Sequence, residues 1–161
     1  MNRHLWTDFY ITKLPELGYS QCLTRLFESS GDQDVYCGEA SIFLFPPSMR
    51  RHVGMVEAAA HVSDDVVEAV RAFHLEKDMH HTGTVAVIGR VHVEEAVRGR
   101  GRGTWFVEDV VDSLTDLQVD AVTVLPDLGN TVFRQKTEDM FAAAGFQTVD
   151  GRAPGVMKRV L

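Results

Sequence analysis

The stretch Val91-His92-Val93-Glu94-Glu95-Ala96-Val97-Arg98-Gly99-Arg100-Gly101-Arg102-Gly103-Thr104 alternates glycine with arginine between two strongly patterned apolar segments. Before it, Thr84 to Val93 has the nearly continuous apolar character of a buried strand. Val85, Val87, Val91 and Val93 are expected on one face, and Ala86 and Ile88 on the other. After it, Phe106, Val110, Val111, Leu114 and Leu117 recur at helical spacing, with Glu108, Asp109, Asp112 and Asp116 on the solvated side. A strand that enters a helix through such glycines suits phosphate. Glycine permits backbone angles that aim successive N–H groups at one anion, no side chain blocks the approach, and the helix N-terminus adds positive potential. Arg98, Arg100 and Arg102 are expected to add charge. The run also admits two plainer readings, an RGG-type RNA-binding segment and a solvated turn. RGG segments are repeated and disordered, whereas this run is single and belongs to a chain of formal charge −7. Three alternating glycines are costly to hold in a turn that does nothing else.

With 161 residues, 45% of them hydrophobic, residues 1–161 are expected to form one domain with an ordinary core. No apolar run approaches the roughly 18 residues of a membrane helix, and Met1 to Tyr10 lacks a signal-peptide core, so a cytosolic location without a membrane partner is expected. The acidic balance disfavours nucleic acid and would suit a cationic substrate. Cys22 and Cys37 lack metal-type spacing and are expected to be reduced thiols, Cys22 in the core.

Along the chain, Trp6 to Thr12 is expected to be a strand. Tyr19, Cys22, Leu23, Leu26 and Phe27 recur as in an amphipathic helix that stops at Ser29-Ser30-Gly31-Asp32. Strands are expected over Ala40 to Phe45, closed by Pro46-Pro47, and over His52 to Val62, where Val56, Ala58, Ala60 and Val62 alternate. Ser63 can cap a helix that runs to about Asp78, with Asp64 and Asp65 in its first turn and Val66, Val70 and Phe73 buried. A strand over Ala121 to Leu125, a helix over Thr131 to Ala144 stopped by Gly145, and strands at Phe146 to Val149 and Gly155 to Val160 complete the chain. Alternating strands and helices with some strands adjacent imply a mixed α/β (α+β) sheet.

The segment from Arg98 to Gly103 resembles the coenzyme A motif of the GNAT superfamily of N-acetyltransferases: Gln or Arg, two free positions, Gly, one free position, then Gly or Ala. Starting at Arg98 puts Gly101 and Gly103 in register, whereas starting at Arg100 would put Trp105 where a small residue belongs. Met140-Phe141-Ala142-Ala143-Ala144-Gly145-Phe146 resembles the family's late helix and its turn, and Val156 to Leu161 its closing strand, so the likeness covers roughly residues 84–161. It implies a central, mostly antiparallel sheet flanked by helices and splayed between the fourth and fifth strands, with acetyl-CoA as co-substrate and an amine as acceptor. The helix from Ser63, between the third and fourth strands, departs from the family pattern. Val91 and Val93 would hold the pantetheine arm. Arg98, Gly99, Arg100, Gly101, Arg102, Gly103 and Thr104 would hold the pyrophosphate, and a backbone N–H near Val93 would polarise the thioester carbonyl.

The tyrosine with which many relatives protonate the departing thiolate is replaced by Phe141. For the base, Glu57 and His61, expected on one face of a strand, and His92 are the candidates. Asn130 either contacts coenzyme A or caps the next helix. His80-His81 has no partner at a recognised metal-ligand spacing, so no metal is expected. A homodimer and the identity of the acceptor stay open.

Overall fold

The computed structural model describes residues 4–49, 52–75, 83–126, 131–149 and 155–161, with the backbone alone at 52, 53, 74, 75 and 131–133. The N-terminal third is a three-stranded meander: β1 (His4–Leu14), β2 (Tyr19–Ser30) and β3 (Gln33–Phe45) pair antiparallel. This corrects the helix expected from Tyr19. Cys22, Thr24 and Leu26 alternate into the core, while Leu23 and Phe27 sit on the other, partly exposed face. Apolar residues on both faces of a strand add up to a false helical period. The stop signal at Ser29 to Asp32 is real, but it is a hairpin turn, with Gly31 at φ 66° and Ser30 paired to Gln33.

The strand expected over His52 to Val62 is instead α1 (His52–Ala60). Among its described side chains Met55, Ala58 and Ala59 are buried, an i, i+3, i+4 set, and its closing alanines favour helix over the alternating pattern they mimic. Next comes α2 (Asp64–Leu75), capped as expected, with the Val66 N–H donating to Ser63 Oγ at 3.3 Å and Asp64 and Asp65 in the first turn. The expected end near Asp78 lies outside the described residues. A helix does stand between the third and fourth strands, although the third strand is Gln33–Phe45.

The remaining elements follow the sequence pattern: β4 (Thr84–Val93), α3 (Arg102–Asp116), β5 (Val119–Val124), α4 (Thr131–Ala143), β6 (Gln147–Thr148) and β7 (Met157–Val160). The sheet order is β1-β2-β3-β4-β5-β7-β6, and the β4–β5 pair is the parallel one among otherwise antiparallel neighbours. Helices cover both faces. On one, Ile42, Leu44, Ala86, Ile88, Val122 and Val124 pack with Phe106, Val107, Val110, Val111 and Leu114 of α3 and Phe141 of α4. On the other, Phe43, Phe45, Val85, Val87 and Ala121 pack with Met55, Ala58 and Ala59 of α1 and Val66, Ala69, Val70 and Phe73 of α2. Each fully buried Val, Leu, Ile, Phe or Met among them contributes about 1.5–3 kcal/mol. Cys22 and Cys37 are buried free thiols. No described helix is long and apolar enough to cross a membrane.

Candidate functional site

Two irregularities in β4 create the site. The first is a β-bulge at Gly89: opposite β3, Ser41 pairs with Arg90 while the next residue, Ile42, pairs with Ile88, leaving Gly89 unmatched. A Cβ at Gly89 would come within 2.6 Å of the Phe43 ring, so this position accepts only glycine without rearrangement. The bulge also reverses the side-chain alternation. Val91 and Val93 pack with Ala86 and Ile88 on the α3 face rather than with Val85 and Val87, which corrects the expected grouping. Arg90 and His92 accordingly project to the α2 face.

The second irregularity is the splay. β4 and β5 run paired from Thr84–Val119 to Ile88–Val124, where β5 ends and β4 continues alone. The Glu94 N–H donates to the Cys37 carbonyl of β3 at 2.8 Å, and Glu94 lies in register with Cys37, so these two residues form a hydrogen-bonded pair. Stepping back along the antiparallel ladder, Val93–Gly38 and Val91–Ala40 are the non-hydrogen-bonded pairs. The backbone N–H and C=O groups of Val91 and Val93 therefore point away from β3, into the gap that β5 has vacated.

A cleft of about 870 Å³ occupies that gap. Gly89 to Val93 form one wall, Val124, Leu125 and Pro126 another, and Met140 and Phe141 of α4 lie across it. One end meets the glycine turn, through Arg98, Gly99, Gly101, Gly103 and Thr104. Asp65 of α2 joins the lining from the other face of the sheet. A single 3-10 turn, Glu95–Val97, leads from β4 to the turn. Gly99 and Gly101 have φ of 80° and 72°, and space is open where their Cβ atoms would stand. Gly101 is the N-cap of α3 and makes no side-chain cap bond, and the first helical bond is Trp105 N–H to Gly101 C=O at 3.0 Å. The N–H groups of Arg102, Gly103 and Thr104 precede that bond and have no acceptor within the helix. Gly103 serves packing: a Cβ there would lie 2.7 Å from Met140 Sδ, which fixes how closely α3 approaches α4.

The arginines divide. Arg98 lines the cleft, and its Nε donates to the Val93 carbonyl at 2.7 Å. Arg100 is exposed. Arg102 turns inward to Glu28 of β2 and donates to the Val97 carbonyl at 3.3 Å. Among the base candidates, His92 lines the cleft with Nε2 3.3 Å from Glu94 Oε1, both side chains partly exposed. Glu57 on α1 and His61 in the turn after it are exposed and are not among the cleft residues. Phe141 is buried edge-on against Phe146, ring centroids 5.2 Å apart. Asn130 and His80-His81 lie outside the described residues, and among those described no cluster of His, Cys, Asp and Glu could hold a metal. Sequence reasoning missed the bulge, Asp65, Glu28 and Met140. A lone glycine inside a strand pattern is a bulge signal, so Gly89 was discoverable.

No family model matches the sequence, and no curated protein does. Solved structures do match in shape. A mosquito arylalkylamine N-acetyltransferase like 5b superposes with a TM-score of 0.57 at 11% identity, over 85% of this chain and 74% of that one. A mutant AtaT toxin bound to the C-terminus of the antitoxin AtaR and acetyl-CoA gives 0.50 at 11%, over 87% and 68%. A KacTA–DNA complex gives 0.51 at 12%, over 87% and 67%. The presence of DNA in the last lends no support to the expectation that nucleic acid is not a partner. Shared shape at such low identity speaks to architecture, and the architecture is plain: this chain has the fold of the GNAT superfamily of acetyltransferases.

Proposed function

We propose that the protein transfers an acetyl group from acetyl-CoA to a primary amine, of a small molecule or a protein, by direct attack. The observation that carries this reading is the continuity of the cleft. Backbone groups of Val91 and Val93 face a gap that runs without interruption to the open glycine turn and the unpaired N–H groups of α3. Coenzyme A needs that combination, an extended site for the amide-bearing arm ending at a site for pyrophosphate. The residues present fit it, because Gly99 and Gly101 leave open the space a Cβ would fill. Arg98, Gly99, Arg100, Gly101, Gly103 and Thr104 would hold the phosphates, each favourable dipole contribution being about 0.3–1 kcal/mol.

Bound there, the acetyl thioester supplies the activated acyl group. The Val93 N–H would hydrogen-bond its carbonyl oxygen and the oxyanion formed on attack; a donor of this kind is worth about 2.7–4 kcal/mol elsewhere. The nitrogen–carbon bond forms as the amine attacks, and the carbon–sulfur bond then breaks to release the coenzyme A thiolate. His92, beside Glu94 on the α2 face, is the candidate to take the ammonium proton. The protein otherwise orients its two substrates.

The test is thiol release from acetyl-CoA over a broad panel of primary amines, with acetyl-CoA binding measured separately. Failure to bind acetyl-CoA in the micromolar range overturns the reading. A second reading, a coenzyme A-binding module without catalysis, is favoured by Phe141, which has no proton to give. It predicts tight binding with no thiol release. Phe141→Tyr separates the two: for an enzyme limited by departure of the thiolate it raises kcat and leaves the acetyl-CoA KM unchanged.

A further inference from the structure

Arg102 is the first residue of α3, only 6% exposed, at the positive end of a helix dipole. A buried guanidinium there is unfavourable unless a counter-charge meets it. Glu28 meets it, from a strand 74 residues earlier in the chain, with its side chain only 12% exposed. The same guanidinium donates to the carbonyl of Val97, the last residue of the 3-10 turn, at 3.3 Å. Arg102 thus ties three things together: the entrance of the glycine turn at Val97, its exit at the start of α3, and the sheet at β2. Arg98 makes a matching tie from its Nε to the Val93 carbonyl at 2.7 Å. The turn is thus tied by Arg102 from its buried side and by Arg98 from its exposed side.

We propose that Glu28 is a positioning residue for the phosphate-binding turn, acting through Arg102, and that the Arg102 side chain does not bind phosphate. The inference rests on the proposed coenzyme A site. It reverses the sign of the simplest electrostatic expectation. If Arg102 were a phosphate ligand drawn off by Glu28, removing the carboxylate would free a cation and tighten binding of an anionic ligand. If Glu28 holds the turn, removing it frees Arg102 to leave its buried site, takes the tie off Val97, and weakens that binding although the protein has lost a negative charge.

The experiment is calorimetric titration of the full chain with coenzyme A and with pantetheine, which lacks the pyrophosphate. Glu28→Gln is expected to raise the Kd for coenzyme A about tenfold while changing that for pantetheine less than about twofold, the range of one broken tie. Glu28→Leu combined with Arg102→Met fills the buried site with an apolar contact but lacks the tie to Val97, so it is expected to fold and to show the same loss for coenzyme A with pantetheine little changed, and coenzyme A binding as tight as wild type overturns the inference. This second variant also keeps the test decisive if Glu28→Gln folds poorly. Wild-type protein that binds coenzyme A, together with a Glu28→Gln variant that binds it equally or more tightly, overturns the inference alone. An equal loss for pantetheine does the same, since it would report general loosening of the cleft. Wild-type protein that binds no coenzyme A overturns the acetyl-transfer reading, and this inference with it.

Discussion

The two halves of β4 make opposite use of the same kind of sequence. Thr84 to Ile88 is flanked by β3 and β5, and its Val85, Ala86, Val87 and Ile88 are buried between two helical layers. Gly89 to Val93 keeps β3, loses β5, and has none of its residues fully buried. Valines continue through both halves, so hydrophobicity does not mark the change. What marks it is the glycine between them, which resets the alternation and lets the strand leave its parallel neighbour. Half a strand builds the core, and the other half presents its backbone.

That contrast can be broken. Ile88→Ala, in the core half, is expected to cost about 2–5 kcal/mol of stability by urea denaturation while leaving the affinity of the remaining folded protein for coenzyme A nearly unchanged. Gly89→Val, at the boundary, pushes a side chain into the Phe43 ring and is expected to cost about 1–3 kcal/mol. Unlike the core variant, it should also weaken coenzyme A binding, because the bulge sets the direction of Val91 and Val93. Gly101→Val lies beyond the strand, in open space at φ 72°. Backbone strain there is about 1–2 kcal/mol, and the added side chain stands where the ligand would, so the expected loss is chiefly in affinity. Val91→Ala should be the mildest, below about 1 kcal/mol, because that side chain is only partly buried and its backbone groups survive the change. If Val91→Ala destabilises as much as Ile88→Ala, the division of β4 is wrong.

The same physical distinction explains what the sequence disclosed. The C-terminal half was legible because its signals are local: a run of valines, glycines at fixed spacing, a helical stripe from Phe106 to Leu114, and a helix-ending glycine, Gly145, at φ 84°. In the N-terminal half the strands at Trp6 to Thr12 and Ala40 to Phe45 and the helix from Ser63 were legible too, but β2 and α1 were not. In β2 both faces carry apolar residues, so the two-residue period is hidden, and in α1 small residues can satisfy either period. Those ambiguities are settled only by packing against other elements, β1 and β3 for one segment, α2 and the sheet for the other. The glycine turn shows the limit from the other side. Its glycines could be located from spacing alone, yet that Arg102 turns inward while Arg98 lines the cleft follows from Glu28, whose position no local pattern announces.

The two cysteines described as core residues have a practical consequence for every assay proposed above. Cys22 has no exposed surface, and burial pushes its thiol up to about 11. Cys37, equally enclosed, is pushed up by burial and then by the neighbouring Glu28 carboxylate. Thiolate is the form that reacts with disulfide reagents, and near neutral pH the folded chain offers almost none. A chromogenic thiol reagent added during turnover would thus report coenzyme A against a silent protein. A slow background signal from the protein itself would serve as a built-in gauge of unfolding in any variant.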